Sequence, residues 1–327
     1  MSASKPSRCG IVGAGLIGTK RAANLPEGQV IAVSDRSLPL AQKLASAYNA
    51  TVFPDWRDLV KSPDIDTVLV CTSHDALTPI ACAALKAGKA VFVEKPAGRN
   101  PAELRTLLKT EKATKGFLRI GFNHRFHPAF LKLHELSQNK AWGPLLYIRA
   151  RYGHGGRLGY EKEWRANPKL SGGGELMDQG VHLIDLSRFL GGEFKLAWGK
   201  VKTFFWNMPV EDNGFLFLES PDGKRNAFLH ASCTEWKNLF DFEVFYKNVK
   251  AQVWGLGRSY GQEELRVYRM KPEMGPPDLD VYPFPNEDTS WALEFKAFRD
   301  EQRGIKTPLA TAVDALKAVE IVHKAYR

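Results

Sequence analysis

The first third of the chain alternates short apolar runs with longer segments of helical period. The apolar runs, rich in β-branched residues, occupy residues 8–12, 30–35, 67–72, 90–94 and 118–123. Between them, apolar residues recur at helical spacing at 16–24, 39–48, 77–87 and 101–115. Strands that alternate with helices indicate crossover connections, and near-continuous hydrophobicity indicates strands covered on both faces. The pattern predicts an N-terminal α/β domain built on a parallel sheet.

The pattern changes after about residue 125. Helical period continues at 127–138, 175–190, 291–303 and 309–326, whereas 145–152 and 195–254 have the character of strands. From Phe240 to Tyr246, apolar residues alternate with Asp241 and Glu243, which predicts a half-buried strand. A turn at 221–224 joins two such runs in the manner of an antiparallel hairpin. Residues 271–286 contain five prolines and are predicted to form an extended surface loop.

Length and composition narrow the class of protein. The chain has 327 residues, 44% hydrophobic and 25% charged, which is typical of a globular protein of two domains and excludes a disordered or collagen-like chain. Lys and Arg number 46 against 36 Asp and Glu, a net charge of +10. The basic residues are scattered, so we expect no nucleic-acid partner. The positive net charge is more consistent with a small substrate that is phosphorylated or linked to a nucleotide.

The cysteines and the N-terminal residues indicate in which cellular compartment the protein is expected. The four cysteines form no CxxC pair and no zinc-ligand spacing, so we expect reduced thiols and no metal. Residues 1–8 are polar and lack the apolar core of a signal peptide, and no apolar stretch approaches the roughly 20 residues that span a bilayer. We therefore expect a cytoplasmic protein with no membrane partner.

A glycine-rich motif closes the first predicted strand and opens the first helix. Its glycines permit a tight turn and the close approach of a pyrophosphate to free amides at the helix N-terminus. The expected cofactor contacts are Gly13, Ala14, Gly15, Leu16, Ile17 and Gly18. Asp35 ends the next strand, where a carboxylate binds the adenosine ribose hydroxyls and disfavours a 2′-phosphate. NAD is therefore the preferred cofactor, while Arg36, which could pair with a 2′-phosphate, keeps NADP open.

Two further motifs contain candidates for catalysis. Lys95 follows the strand at 90–94, and ligands of open α/β sheets bind beyond the carboxyl ends of the strands. Asp178 and His182 are four residues apart, and residues at that spacing share a face of a helix. Each motif has a structural alternative, since Lys95 could be an ordinary loop lysine and the second motif, with Asp185, a helix-capping pattern.

Together these motifs resemble those of the Gfo/Idh/MocA family, the glucose–fructose oxidoreductase and inositol dehydrogenase-like enzymes. The resemblance covers essentially the whole chain and rests on GIVGAGLIG, AGKAVFVEKP, FNHRFHP, GGGELMDQGVHLID and LKAVEIVHKAYR. It implies a Rossmann dinucleotide-binding domain with a doubly wound parallel sheet at residues 1–124. It implies a substrate-binding and oligomerisation domain at 125–327, an α/β domain with a large open, mainly antiparallel sheet, whose closing helices could pack back on the first domain. Such proteins usually form homodimers or homotetramers through that sheet.

The resemblance also implies the catalytic group, namely Lys95, Asp178 and His182. Because an imidazole titrates near neutral pH, His182 is the expected proton acceptor when an alcohol is oxidised. Asp178 would orient His182 and stabilise its imidazolium form. Lys95 would donate to the reacting oxygen and stabilise negative charge there, although it could also compete for the role of base.

Further cofactor contacts follow from the resemblance alone. They are Thr72, Ser73, His74, Glu94, Asn123, Trp164 and Arg165, besides Lys95. Routine strand-end hydroxyls, an Asn cap and a packed Trp are the structural alternatives. The chain departs from the common family pattern at residues 72–74, at Thr78 where a histidine is usual, at His124 where an arginine is frequent, and at Gln179.

These departures affect the substrate contacts more than the redox chemistry. His154 and Arg157, in a glycine-rich stretch, and Gln179 are the candidate substrate contacts, and a loop made flexible by its glycines is the alternative. The sequence predicts an NAD(P)-dependent oxidoreductase that transfers a hydride between nicotinamide and a secondary alcohol or ketone of a sugar, cyclitol or nucleotide sugar. An NAD-dependent glycoside hydrolase of the same family is the alternative, and a non-catalytic cofactor or sugar sensor is a further one.

Overall fold

The computed structural model describes residues 7–327. Residues 1–6, and with them most of the polar segment on which the expected lack of a signal peptide rests, lie outside the described residues. The described chain divides into two compact units. The first runs to Phe122 and takes in Trp291–Lys317, and the second comprises Asn123–Ser290 and Ala318–Arg327. That residues 125–327 serve substrate binding and oligomerisation stays a prediction.

Strands and helices are numbered in chain order. The strands are β1 (Cys9–Val12), β2 (Val30–Ser34), β3 (Thr51–Val52), β4 (Thr67–Val70), β5 (Ala90–Glu94), β6 (Leu118–Gly121), β7 (Leu145–Gly153), β8 (Lys195–Lys202), β9 (Asn213–Glu219), β10 (Asn226–Ser232), β11 (Leu239–Tyr246), β12 (Val249–Trp254), β13 (Glu263–Arg269) and β14 (Asp278–Phe284). The helices are α1 (Leu16–Ala23), α2 (Leu38–Tyr48), α3 (Trp56–Lys61), α4 (His74–Lys86), α5 (Pro101–Thr114), α6 (Pro128–Ser137), α7 (Pro168–Ser171), α8 (Val181–Gly191), α9 (Ser290–Gln302) and α10 (Ala312–Ala325). Within residues 7–327, no helix combines the length and the apolar character that crossing a bilayer requires.

The first unit contains a six-stranded parallel sheet in the order β3-β2-β1-β4-β5-β6. Every residue of β1 and β4 is buried, as their apolar runs predict. The predicted doubly wound Rossmann sheet is thereby confirmed. The sequence pattern did not reveal β3 and α3, because two and six residues are too few to display a period.

A buried guanidinium joins three elements of the first unit. Arg21, in the last turn of α1, is 2.6 Å from Glu94 at the end of β5 and 2.6 Å from Glu294 on α9, and all three side chains are at least 91% buried. The guanidinium also lies 4.5 Å from the ring centroids of both Phe92 and Trp291. Gly121 makes room for it, since a Cβ there would be 2.7 Å from Nη2 of Arg21.

The second unit contains an eight-stranded sheet in the order β14-β13-β12-β11-β7-β10-β9-β8. Only β7 and β10 pair in parallel, and every other neighbouring pair is antiparallel. The hairpin predicted at 221–224 joins β9 to β10. The predicted large, mainly antiparallel sheet is thus confirmed.

The polar face of β11 is more buried than its alternating pattern predicts. Asp241 is 8% exposed and Glu243 is 5% exposed. Glu243 accepts from Arg149 on β7 and pairs with Lys250 on β12, each at 2.6 Å. Asp241 likewise pairs with Arg151 on β7 and accepts from Gln252 on β12. Because β11 is a central strand, polar side chains of both neighbouring strands satisfy its acidic residues.

The structure corrects one sequence-based expectation and refines another. Residues 271–286 are not wholly a loop, because β14 lies within them at the edge of the sheet; an edge strand tolerates Pro283, which cannot donate to a ladder. The helix expected at 175–190 is not uniform either. It begins with a π-helical turn, Leu176–Gly180, and continues as α8.

Glu211 and Tyr326 anchor the glycine run that precedes the π-helical turn. The Glu211 carboxylate accepts hydrogen bonds from the amides of Gly174 and Leu176 and from the Tyr326 hydroxyl, at 2.9, 3.0 and 2.7 Å. A Cβ at Gly173 would be 2.1 Å from that hydroxyl oxygen, and one at Gly174 would be 2.0 Å from the Glu211 carbonyl oxygen. These glycines are therefore required by packing. Burial raises the pKa of Glu211 to about 7, although its hydrogen bonds oppose the shift.

We expect Arg21→Met to lower the free energy of unfolding by about 3–5 kcal/mol, because it leaves the carboxylates of Glu94 and Glu294 buried without their cation. Urea denaturation at neutral pH measures the loss. The matched control is Arg119→Met, which removes a more exposed pair with Glu301 and should cost about 1 kcal/mol. Equal losses in the two variants would contradict the prediction.

Glu211 gives a second prediction. A carboxyl whose pKa is raised on folding stabilises the fold below its unfolded value near 4.5, and this contribution is lost as the pH rises to about 7. Glu211→Gln cannot titrate. Relative to this variant, the wild type should lose about 3 kcal/mol between pH 4.5 and 7 and change no further above that range. Denaturation of both proteins across this range measures the difference, and parallel curves would show that Glu211 keeps an ordinary pKa.

Candidate functional site

The glycine loop between β1 and α1 is built from three glycines with different roles. Gly13 has a φ of +102°, and a Cβ there would be 2.5 Å from the Cys71 carbonyl oxygen. A Cβ at Gly18 would be 1.8 Å from the carbonyl oxygen of Gly13. At Gly15, by contrast, a Cβ would meet no atom within 4 Å. Packing of the chain thus requires the outer two glycines, and the space beside Gly15 is a cradle that suits a closely approaching phosphate.

Asp35 connects the end of β2 to this loop. One carboxylate oxygen accepts the amide of Ala14 at 2.7 Å and the other accepts the amide of Ser37 at 2.8 Å. Each oxygen keeps a further lone pair, so the carboxylate can still accept from ribose hydroxyls. Arg36 is exposed, and so is Leu16, whereas Ala14 is buried. The loop therefore fits the adenosine and pyrophosphate parts of a dinucleotide.

Further predicted residues gather at the same edge of the sheet. The strands β1, β4 and β5 are parallel neighbours, so their carboxyl ends lie side by side. Residues 72–74 follow β4; Ser73 directly precedes α4 and donates its hydroxyl to Asp75 at 2.6 Å, and His74 is the buried first residue of α4. Lys95 follows β5 directly. This carboxyl edge is where open α/β sheets bind ligands.

The loop after Lys95 is held by Thr78. Its hydroxyl donates to the Ala97 carbonyl at 2.7 Å, and the absence of a side chain at Gly98 leaves room for that hydroxyl. Ala97 is fully buried with a φ of +66°. The departure from the family pattern at Thr78 thus has a structural function in this chain. Glu94 is paired with Arg21, so its contact with the cofactor stays a prediction.

The second unit holds Asp178 and His182 on one side of a helix. Asp178 lies in the π-helical turn and His182 in α8. A separation of four residues is close to one full turn in either type of helix, so the two side chains lie on the same side. Asp178 is 6% exposed and His182 is 3% exposed. Asp185, part of the capping alternative, instead forms a buried two-bond pair with Arg125 at 2.6 and 2.8 Å.

Asp178 terminates a row of alternating charges. It accepts from Nε of Arg165 at 2.9 Å; Arg165 lies 3.6 Å from Glu163, and Glu163 lies 2.6 Å from Arg157. Arg165 also stacks on Trp164, with 4.6 Å to the ring centroid. The structure therefore brings the predicted residues Arg165, Trp164 and Arg157 into one row with Asp178. Glu163, which links them, was missed because it belongs to no recognisable motif.

His154 is held by Glu175, which sequence reasoning also missed. Nδ1 of His154 accepts the amide of Gly156 at 2.9 Å, and Nε2 lies 3.3 Å from the Glu175 carboxylate, which also accepts from the Tyr160 hydroxyl at 3.3 Å. Burial lowers the pKa of His154, but the hydrogen bond to Glu175 and the negative charges of Glu175 and Asp178 together more than offset it, so the pKa is raised. Gln179 is half-buried. The position of Glu175 in the run before Asp178 was the available signal.

Asn123 and His124 lie beside His182. Asn123 does not end β6, which stops at Gly121, but begins a short 3₁₀ turn. Its side chain bonds the Ser290 hydroxyl at 2.9 Å and Nδ1 of His124 at 3.1 Å. The His124 ring stacks on that of His182, with centroids 3.7 Å apart and planes 18° apart. A cofactor contact by Asn123 stays a prediction.

The glycine loop yields a test with an internal control. We expect Gly15→Ala to weaken NADH binding about tenfold or more, because its methyl group occupies the phosphate cradle, while stability changes by about 1 kcal/mol or less. Gly18→Ala should lower stability by about 1–3 kcal/mol or more, because its Cβ meets backbone. NADH titration and thermal unfolding without cofactor measure both. Unchanged NADH affinity in Gly15→Ala would count against the cradle.

Known proteins resemble the chain in both units. The model of an oxidoreductase family with an NAD-binding Rossmann fold matches residues 7–122, and that of the GFO/IDH/MocA C-terminal domain matches residues 130–251. Trans-1,2-dihydrobenzene-1,2-diol dehydrogenase of Mus musculus is 30% identical over 83% of this chain and 81% of its own length. Inositol 2-dehydrogenase of Rhizobium meliloti is 31% identical over 67% of this chain and 66% of its own.

A solved structure shows the same fold. Levoglucosan dehydrogenase in complex with NADH and levoglucosan matches with a TM-score of 0.85 over 98% of this chain and 97% of its own, at 20% identity. At that identity the likeness concerns the fold alone. The two family models, in chain order and over most of its length, agree with the glycine loop and the two sheets. The chain therefore belongs to the Gfo/Idh/MocA family of NAD(P)-binding oxidoreductases.

Proposed function

We propose that the chain is an NAD(P)-dependent dehydrogenase or reductase that transfers a hydride between nicotinamide and a secondary alcohol, or its ketone, on a sugar, cyclitol or nucleotide sugar. The observation that carries the proposal is the open cradle at Gly15 on the same sheet edge as Asp35 and Lys95. The relatives named above act on a ring diol, a cyclitol and an anhydrosugar. Their shared chemistry is a secondary alcohol on a six-membered ring beside further oxygen substituents, which is the substrate class proposed here.

The cofactor proposed is NAD rather than NADP. Asp35 offers two carboxylate oxygens to the ribose hydroxyls and would repel a 2′-phosphate. Arg36 is exposed and could attract one, so the preference rests on Asp35. The bound nicotinamide supplies or accepts the hydride, and the chain supplies position and charge.

Each of the three proposed catalytic residues has a role of its own. His182 accepts the alcohol proton during oxidation and returns it during reduction. Asp178 stabilises the imidazolium form of His182, and its pair with Arg165 favours the ionised carboxylate. Lys95 stabilises the negative charge that develops on the reacting oxygen. The contacts proposed for the cofactor at Thr72, Ser73, His74 and Trp164 are consistent with their places at strand ends and beside Arg165.

An anionic substituent of the substrate, such as a phosphate, is proposed to bind Arg157. The Arg157 side chain is 63% exposed, and its partner Glu163 forms an exposed pair of little net stability. A phosphate can therefore replace Glu163 at low cost. His154 and Gln179 are proposed as neighbouring substrate contacts.

We infer further that the protein is a cytoplasmic homodimer or homotetramer. Exposed aromatic side chains lie in register across three strands of the eight-stranded sheet: Trp198 opposite Phe217, and Phe217 opposite Phe228. Such a row on an uncovered sheet face is typical of a contact between subunits. All four cysteines are free, which favours a reducing compartment.

The cofactor titration tests the proposed function first. NAD⁺, NADH, NADP⁺ and NADPH are titrated separately, and inositols, anhydrosugars and nucleotide sugars are then screened for NADH formation with the cofactor that binds. Exchangeable NADH and net turnover support the proposal. Sugar release without net NADH formation would indicate the hydrolase alternative, and failure of all four cofactors to bind would overturn the proposal.

Substitution of Lys95 tests its proposed catalytic role. We expect Lys95→Ala to lower kcat/KM about 100- to 1000-fold, because the reacting oxygen loses its cation, with NADH affinity changed by about twofold or less. Lys89→Ala is the matched control, since Lys89 precedes the opposite end of β5 and bonds only to the Ser62 and Ile65 carbonyls among the contacts described. Steady-state kinetics and NADH titration measure both. A Lys95→Ala enzyme with most of its activity would remove Lys95 from catalysis.

A further inference from the structure

The plane of the His182 ring is not determined by its backbone. The second side-chain torsion of a histidine is broad, so the helix fixes where the ring begins but leaves its rotation open. The stacked His124 ring restricts that rotation. At a centroid separation of 3.7 Å the rings are in face-to-face contact, and turning either one edge-on would bring its atoms into the other.

His124 is itself locked from several sides. Its ring meets His127 at 5.4 Å and Phe240 at 6.1 Å, both nearly edge-on, and Tyr152 at 5.3 Å with a tilt of 49°. It is 7% exposed. Because these neighbours come from the turn after β6, from β11 and from β7, the ring cannot turn without repacking three elements.

A chain of hydrogen bonds also determines which nitrogen of His124 carries the proton. The Ser290 hydroxyl donates to Asp288 at 2.6 Å, so it can only accept from Asn123. The amide nitrogen of Asn123 therefore faces Ser290, and its carbonyl oxygen faces His124. That oxygen can only accept, so Nδ1 of His124 carries a proton and donates at 3.1 Å.

We propose that His124 is a positioning residue for His182: its ring, stacked on His182 and oriented by Asn123, Ser290 and Asp288, fixes the plane of the proposed proton acceptor. The inference rests on the proposed role of His182. Proton transfer needs the acceptor nitrogen within a narrow angle of the donor, so a rotating ring would spend much of its time in unproductive orientations.

Kinetics of three variants test the proposal with the substrate found by the screen. His124→Ala should lower kcat about tenfold or more, with KM for NAD⁺ changed by about twofold or less, because His124 is not itself among the proposed cofactor contacts. His124→Phe retains a flat ring and should recover most of the lost kcat. The control His134→Ala removes another stacked histidine, 4.5 Å from Phe189, and should keep normal kinetics. An alanine variant with normal kcat, or a phenylalanine variant as impaired as alanine at equal thermal stability, would overturn the stacking role.

Nuclear magnetic resonance of the cofactor-free protein gives a readout that needs no substrate. With isotope-labelled histidine, wild-type His124 should be seen with its proton on Nδ1, and the His182 ring signals should shift and broaden in His124→Ala but stay close to wild type in His124→Phe. Unchanged His182 signals in the alanine variant would overturn the proposal even if activity falls. If no cofactor or substrate is ever bound, the proposed function fails while these signals still decide whether the stack orders His182.

Discussion

The buried guanidinium of Arg21 is the constraint on which the first unit depends. Burying a charge is costly unless it is paired, and here two carboxylates compensate one cation with almost no exposure to water. The three partners belong to α1, β5 and α9. Because α1 begins with the glycine loop and Glu94 directly precedes Lys95, this one cluster ties the helix that follows the glycine loop to the strand that precedes Lys95. Because the guanidinium must meet both carboxylates at once, the cluster holds this edge of the sheet in one arrangement.

In the second unit, hydrogen bonds at a glycine run fix the start of a helix. The helix bearing Asp178 and His182 starts in a glycine run, which by itself has little conformational preference. Glu211 removes that freedom by accepting a hydrogen bond from the Gly174 amide, and Tyr326 donates its hydroxyl to Glu211. Both residues occupy the space that side chains on Gly173 and Gly174 would need. The run therefore gives a rigid start to the helix that carries Asp178 and His182. Its richness in glycine reflects close packing, and flexibility is not needed to explain it.

The sequence was informative where structure is local. The strands β1, β4 and β5 are continuous apolar runs, the helices between them are long enough to show a period, and the glycine loop has a spacing typical of a strand–helix turn. The short β3 and α3 carry no period, and β14 was hidden by Pro283, which an edge position alone permits. The π-helical turn was hidden because apolar spacing is nearly the same in both helix types over one turn.

Partners distant in sequence could not be predicted. Arg21 and Glu294 are 273 positions apart, and Glu211 and Tyr326 are 115 apart. Nothing in either pair marks the residues as partners, since each is an ordinary charged or aromatic residue of a helix or loop. The same is true of Glu163 and Glu175, which organise the predicted Arg165 and His154. Motifs thus identified the candidate catalytic and binding groups, but not the groups that hold them.

The three glycines of the loop do not give equal support to nucleotide binding. Gly13 and Gly18 would be retained for packing in a protein that bound nothing, because a Cβ at either position meets backbone atoms. Gly15 alone has no such reason within the chain. Since a glycine costs conformational entropy on folding and any small residue would fit there, its presence is best explained by something that approaches from outside. The support that this motif lends to nucleotide binding therefore rests on one residue of the three.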